Sequence, residues 1–331
     1  MSATPLSICI PVYNFGAFLG PTLESIVRQA PPEVEVVVLD GGSTDDTAQV
    51  VGRYPQVRYH RQPQRGGIDR DLARAVELAN GAYVWLFSGD DLMRDGAMAR
   101  LLVELRAGCD VFLLESMLCN FTMQPLALHQ LLRIPASRTF RLHDAAERIE
   151  YFERSLNTAA FFSFCSSIVV KKSRWDEASV DDAFFQTCFA HAARIFSMLP
   201  TGLTVRYLRE PFLDKRGEND SFLTHGLTPR YGLAVDGYHQ IADTFLGHAS
   251  REGFYIRRAV RAEQPWIGWL SARLEIAATG RSEQRPLLNR LVWKQYGDPS
   301  LSNWAAFASI RFTPLPLLRA AKRALDLVKR L

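Results

Sequence analysis

The chain has 331 residues, 47% hydrophobic and 22% charged, with a net charge of +4. That is the composition of a folded globular protein, and so small a positive charge gives no reason to expect nucleic acid as a partner. The five cysteines (Cys9, Cys109, Cys119, Cys165, Cys188) are odd in number and form no CxxC pair, which argues against a disulfide framework or structural zinc and suits a reducing cytoplasmic compartment.

Leu6 to Ile10 is a short apolar run that reads as a buried strand stopped by Pro11. Phe18 to Gln29 follows with helical spacing through Leu19, Leu23, Ile26 and Val27. Val34 to Leu39 is a β-branched strand closed by Asp40-Gly41-Gly42, Asp45 to Arg53 suits a helix, and Val57 to His60 a third strand. Asp69 to Asn80 has Leu72, Ala75, Val76 and Ala79 on one helical face, with Gly81 as its stop. Tyr83 to Phe87 is a fourth strand. Strands separated by single helices predict an α/β fold with a mostly parallel, Rossmann-like sheet flanked by helices. Ligands of such sheets bind beyond the carboxyl ends of the strands. Three of those ends carry polar clusters: Tyr13-Asn14, Asp40-Gly41-Gly42-Ser43 and Ser88-Gly89-Asp90-Asp91.

Asp40 sits where a buried strand opens into a glycine turn, so its carboxylate can accept a hydrogen bond from an N–H of a pyrimidine base. It can equally cap the next helix or close an Asx-turn. Asp90 and Asp91 are adjacent acids directly after a strong strand. Two carboxylates forced together repel unless a proton or cation intervenes, an arrangement that suits Mg²⁺ or Mn²⁺ on a diphosphate. A solvated turn capping the next helix is the plainer alternative. What favours the chemical reading is that all three clusters fall on one edge of one sheet.

These motifs resemble the family-two glycosyltransferases with a GT-A fold. The resemblance is carried by Ser7-Ile8-Cys9-Ile10-Pro11-Val12-Tyr13-Asn14, by Val38-Leu39-Asp40-Gly41-Gly42-Ser43-Thr44-Asp45-Asp46-Thr47, by Gly67 to Arg70, by Ala79-Asn80-Gly81-Ala82-Tyr83 and by Ser88-Gly89-Asp90-Asp91. It implies that Pro11, Tyr13, Asn14, Asp40, Gly41, Asp69, Arg70, Ser88 and Asp90 line the nucleotide site. Asp91 is implied as the first metal ligand and Asp90 as the second, for a divalent Mn²⁺ or Mg²⁺. The chain departs from the family at Ser88, which stands where the first acid of the DxD pattern is expected.

Phe164 to Asp176, Arg216 to Phe222 and Gln264-Pro265-Trp266 look like the O-antigen abequosyltransferases of enteric bacteria. That likeness implies transfer of a 3,6-dideoxyhexose from a CDP-sugar to a polyprenyl-diphosphate-linked oligosaccharide. Arg216, Asn219 and Asp220 are then expected on a loop over the donor, Arg216 toward the diphosphate; Gly-Glu-Asn-Asp is also simply a good turn. On the acceptor side the family places an acid on a helix, here Thr187 to Leu199, where His191 stands instead. A near-neutral histidine can take the hydroxyl proton, or it can be a packed core residue. Asp181 and Asp182 are the rival bases. Trp266 and Trp269 suit stacking on acceptor sugars less well than a core role.

The domain expectation is a catalytic domain over residues 1–225, with a nucleotide half to about residue 110 and an acceptor half beyond it, then a helical region over 226–331. Its end, Leu315 to Leu331, sets Leu317, Leu318, Ala321, Leu325 and Val328 against Arg319, Lys322, Arg323, Lys329 and Arg330. Such a basic amphipathic helix suits the anionic inner face of a bacterial inner membrane, or packing within the protein. No apolar stretch reaches the ~20 residues that span a bilayer, and no signal-peptide pattern follows Met1. A dinucleotide oxidoreductase is excluded because Pro11-Val12-Tyr13-Asn14-Phe15-Gly16 is not a GxGxxG turn. An inactive relative that binds nucleotide sugars or acts as a scaffold is the second reading, prompted by Ser88 and the missing acid.

Overall fold

The computed structural model describes residues 4–297 and 300–328, the last five as backbone only. The chain divides into two compact units, one ending at Asn219 and the other beginning at Asp220.

In the first unit, β1 (Leu6–Val12), β2 (Glu35–Asp40), β3 (Arg58–Arg61) and β4 (Tyr83–Leu86) alternate with α1 (Gly16–Val27), α2 (Thr47–Val51) and α3 (Ile68–Glu77). Then come β5 (Leu92–Met93), α4 (Ala97–Glu104), β6 (Val111–Cys119), β7 (Pro125–His129), β8 (Arg138–Arg141) and α5 (Ala145–Arg154). The unit closes with β9 (Ile168–Lys171), α6 (Lys172–Glu177), α7 (Ala190–Phe196) and β10 (Thr204–Lys215). One ten-stranded sheet results, ordered β3-β2-β1-β4-β9-β6-β10-β5, with β7 on β6 and β8 on β10. β1 runs parallel to β2 and β4, and β2 to β3. β9 is antiparallel to both β4 and β6, and β10 is parallel to β6. The sheet is therefore mixed. β1, β2, β4, β6 and β10 all end at one edge, and β9 begins there.

The strands form where they do because they are apolar on both faces, as strands covered by helices must be. Ile8, Ile10, Val36, Val38, Trp85 and Phe87 are buried in one core with Leu19, Leu23 and Ile26 of α1. Pro11 does not stop β1, which continues to Val12. Cys9 O accepts from Phe87 N and Val12 O from Gly41 N, both at 2.9 Å. Pro11 thus faces the β4 side, where β4 has already ended and no N–H is needed. The expected helix over 187–199 is also shorter. Gln186 and Cys188 adopt positive φ (86° and 67°), and helix begins only at Ala190.

The second unit consists of α8 (Leu227–Phe245), α9 (Arg251–Glu263), α10 (Trp266–Thr279), α11 (Arg285–Tyr296), α12 (Leu301–Phe312) and α13 (Leu315–Val328). Ser250 caps α9 by accepting from Gly253 N at 2.9 Å, and Ser300 caps α12 from Asn303 N at 3.1 Å. Trp269 is fully buried, edge-on to Tyr231, while Trp266 is exposed. On α13 Leu318 is buried and Leu317 exposed. The side chains of Leu325, Val328, Lys329, Arg330 and Leu331 lie outside the described residues, so the amphipathic face is only partly described. No described helix is long and apolar enough to cross a membrane.

Candidate functional site

At the shared edge of the sheet, Tyr13 and Asn14 follow β1, Asp40 ends β2, and Ser88, Asp90 and Asp91 follow β4. The loops are tied together. Asn14 takes the left-handed conformation (φ 56°), its N–H donates to Ser43 Oγ at 2.8 Å, and its Oδ1 accepts from Thr44 N at 2.8 Å. The Arg65 guanidinium lies 4.5 Å above the Tyr13 ring. Asp40 is fully buried. Its Oδ1 accepts from Ser43 N at 2.7 Å, closing the turn, and its Oδ2 from the Tyr59 hydroxyl at 2.5 Å. Burial raises the Tyr59 phenol, and the hydrogen bond to Asp40 raises it further. Asp40 is thus both a turn residue and an oriented acceptor: hydrogen bonds use two of a carboxylate's about four lone-pair sites, and Arg61 Nε lies 3.7 Å from Oδ2.

The acid pair is held more elaborately. Ser166, in the short turn just ahead of β9, accepts from Ser88 N at 2.9 Å and donates to Asp91 Oδ2 at 2.7 Å. Arg216, at the end of β10, donates its backbone N–H to Asp91 Oδ1 at 3.0 Å and its Nε to the Asp90 carbonyl at 3.0 Å. Asn219 Nδ2 donates to Asp90 Oδ2 at 2.7 Å, and the Ser88 hydroxyl to Asp90 Oδ1. Two glycines allow this closeness. A Cβ at Gly89 would stand 2.7 Å from Val12 Cγ1, and one at Gly217 only 2.4 Å from Cys119 O. Burial pushes the Asp91 carboxyl up to about 7, and the neighbouring Asp90 charge adds to it, against the pull of Ser166, the Arg216 N–H and Lys215.

The crowding of Asp90 and Asp91 is the feature by which a cation can be judged, because two buried neighbouring carboxylates repel and a divalent ion would relieve that repulsion. Among the described residues no three side chains of ligand type gather. A cation here would have Asp91 and Asp90 from the chain and would take its remaining oxygens from a diphosphate and water, the usual habit of Mg²⁺. The residues fit the group on those terms.

Several predicted site residues do other work. Arg216 fastens the acid turn: its guanidinium lies 5.2 Å from the Phe18 ring centroid and donates to Phe121 O. Asn219 donates to Asp90 through Nδ2. Asp220, the first residue of the second unit, caps residues 221–225 and pairs with Arg230 at 2.5 Å. Asp69 is buried, and its carboxylate accepts three backbone N–H bonds, from Gln186 at 2.8 Å, Cys188 at 3.0 Å and Ala190 at 3.0 Å. It pins the strained loop ahead of α7. Arg70, exposed, lies 4.8 Å from the Phe185 ring.

His191 is 7% exposed, and its Nε2 has no hydrogen-bond partner. It lines a small cavity with Asp69, Ala73, Trp175 and Arg194. Burial pulls its imidazole down, while Asp69 and the backbone at Phe162 and Ser163 act in the opposite sense. The net direction is downward, toward the neutral ring. Asp181 and Asp182 stand in an exposed turn where Asp181 Oδ1 accepts from Ala183 N at 2.8 Å. Sequence reading missed Ser166, Lys215 and Asp71. Asp71 Oδ1 accepts from Gln62 Nε2 at 2.7 Å and Gly66 N at 3.1 Å, shaping the loop beside Gly41. Ser166 lay inside a segment noticed only for its resemblance, and no periodicity marks it.

A sheet with parallel strands that presents an oriented acid after β2 and an acid pair after β4 has the architecture of the GT-A glycosyltransferases. The family model for glycosyl transferase family 2 matches residues 7–169, and the chain is related to that family of enzymes. Abequosyltransferase RfbV of Salmonella typhimurium is 28% identical over 290 residues, which cover 85% of this chain and 86% of the relative. Chondroitin synthase of Escherichia coli is 33% identical over 105 residues, 30% of this chain and only 15% of that protein. Among solved structures, residues 1–349 of S. aureus TarS in complex with UDP-GlcNAc share the fold, with a TM-score of 0.62 and 14% identity over 98% of this chain and 92% of the other.

Proposed function

We propose that the chain transfers a sugar from a nucleoside diphosphate to a hydroxyl of a glycan acceptor. The observation that carries this reading is the acid pair, crowded, buried and braced from β9 and β10 at the same sheet edge as Asp40. In this proposal Asp40, with Tyr13 and Asn14 beside it, receives the nucleotide, and Asp91 and Asp90 hold Mn²⁺ or Mg²⁺ against the diphosphate. When bound, the cation neutralises charge on the departing nucleoside diphosphate. The bond from the sugar's anomeric carbon to the diphosphate oxygen breaks, and a bond to the acceptor oxygen forms. In this proposal the acceptor proton passes to His191 Nε2, a buried atom with no hydrogen-bond partner in the chain, on a ring that burial holds toward the neutral form.

The finer reading is a CDP-linked 3,6-dideoxyhexose, with a polyprenyl-diphosphate-linked oligosaccharide as acceptor, in O-antigen or surface polysaccharide synthesis at the inner face of the bacterial inner membrane. Relatedness to abequosyltransferase RfbV over most of both chains supports it. Thermal shift with CDP, UDP, GDP and dTDP, each with Mn²⁺, Mg²⁺ or EDTA, tests the donor side, because a ligand bound only to the folded state raises its apparent stability. CDP with a divalent ion should give the largest shift. Slow, metal-dependent hydrolysis of the matching nucleotide sugar should accompany it. Nucleotide binding without turnover on any acceptor would favour the inactive, sugar-binding relative; no shift with any nucleotide would remove the proposal.

A further inference from the structure

The second unit carries a groove unlike anything at the sheet edge. Two adjoining cavities of about 240 and 190 Å³ share Arg273, Leu288, Asn289 and Arg311, and Arg285 lines the second. No aspartate or glutamate lines either one. Arg273 is partly occupied, donating to the carbonyls of Ile310 and Thr313 at the end of α12. Burial pulls its guanidinium down, and the charges of Arg311 and Arg285 add to that. Arg285 and Arg311 are exposed and have no acidic partner among the described residues. Three arginines therefore converge on one recess, and no acid among the described residues pairs with Arg285 or Arg311.

The wall beside this recess is apolar and uncovered. Of the twelve residues of α12 only Ile310 is buried. Trp304, Phe307 and Trp293 of α11 stack edge to face at 5.4–5.8 Å, yet Trp293 and Trp304 are 53% and 45% exposed, and Phe312 is 72% exposed. A soluble surface seldom keeps so many aromatics in water. Tryptophan beside unpaired arginine is what the boundary between headgroups and acyl chains selects, the ring entering the apolar layer and the guanidinium meeting phosphate. We propose that this groove seats the phosphate of an anionic bilayer phospholipid, with Trp293, Trp304 and Phe312 entering the interface. The groove is built mainly from α10, α11 and α12, with Leu315 at the start of α13 lining the second cavity, and the proposal does not depend on the catalytic reading.

The test uses the full chain and sedimentation with phosphatidylcholine vesicles, with and without phosphatidylglycerol. Binding should require phosphatidylglycerol, and Trp emission should shift to the blue. Arg285→Gln with Arg311→Gln should weaken it about tenfold or more, with circular dichroism unchanged because both side chains are exposed. Lys322→Gln with Arg323→Gln on α13 should weaken it less. Equal binding to pure phosphatidylcholine, wild-type binding by the groove variant, or a larger loss in the α13 variant would each overturn the proposal. Soluble glycerol 3-phosphate should not displace the protein at millimolar concentration. If it does, the groove takes a free phosphate ester and the lipid assignment is wrong.

Discussion

At the sheet edge each buried carboxylate is met by donors from the chain itself, whereas in the helical groove two arginines face a recess without an acid. Asp69 takes three backbone N–H groups, Asp71 takes Gln62 and Gly66, and Asp91 takes Ser166 and Arg216. Arg285 and Arg311 find no such partner among the described residues. Where the chain supplies the partners, charge is fixed in place before any ligand arrives, which is what transition-state stabilisation asks of a site. Where it does not, the counter-charge proposed is a lipid phosphate. Substitutions at the two places should separate accordingly, those at the edge striking turnover or stability and those at the groove striking attachment.

The largest effect is expected at Asp91. Asp91→Asn should lower transfer by about 10³-fold or more per folded molecule; it removes the like charge beside Asp90 but turns an amide N–H₂ toward either the Ser166 hydroxyl or the Arg216 N–H, both of which donate to the carboxylate. Asp90→Asn should be milder. Wild-type turnover of both variants at limiting Mn²⁺ would show that the acid pair is structural and that the edge is not the catalytic half of the comparison.

His191→Ala should lower the transfer rate by about 10²–10³-fold with little change in donor affinity. Since burial already holds the ring neutral, the wild-type rate should decline only below the ordinary histidine range as pH falls. A purely structural histidine would instead lose melting temperature and keep most of its turnover per folded molecule. Asp181 or Asp182 would then be the next base to examine.

Asp69→Ala is the complementary case. Three backbone donors would lose their acceptor in a buried place, at a cost of about 2–4 kcal/mol by urea unfolding. Asp69→Asn, which keeps acceptor capacity on one oxygen, should cost less. A neutral Asp69→Ala would mean that the loop ahead of α7 is not pinned as the hydrogen bonds indicate.

Asp40→Ala should weaken nucleoside diphosphate binding by about 1–3 kcal/mol in titration calorimetry. Unchanged affinity in a folded but less stable variant would reduce Asp40 to its turn with Ser43 and Tyr59.

The smallest effect is a slope. Burial pushes the carboxyls of Asp91 and Glu115 each up to about 7. The folded chain holds these protons more tightly than the unfolded chain, so the stability they contribute is complete below the ordinary carboxylate range and is lost as pH rises through about 7. His129, His191 and His239, whose rings burial pulls down, act in the opposite sense below the ordinary histidine range. The test is therefore a difference: in EDTA the melting temperature of the wild type relative to Asp91→Asn with Glu115→Gln should fall from about pH 5 to about pH 8. A relative melting temperature that stays flat or rises would show that neither acid is held protonated.

The sequence by itself determined the elements whose signal is local. β1, β2 and β4 are legible because strands covered on both faces are apolar throughout, and α3 because its apolar positions repeat at helical spacing. Asp40, Asp90 and Asp91 were legible as well, since each follows such a strand directly. The tertiary structure alone decided what those acids touch. Ser166 reaches Asp91 across 75 residues and Arg216 across 125, through an antiparallel β9 and a twelve-residue β10 that pair only with distant strands. Asp69 is committed to a loop 117–121 residues away, a role that nothing around it announces. Asn219 and Asp220 are neighbours in sequence yet serve different units, because a hydrogen-bond partner is chosen by proximity in space. Hydrophobic period is written along the chain, while the partner of a buried charge is settled only when strands distant in sequence come together at one edge.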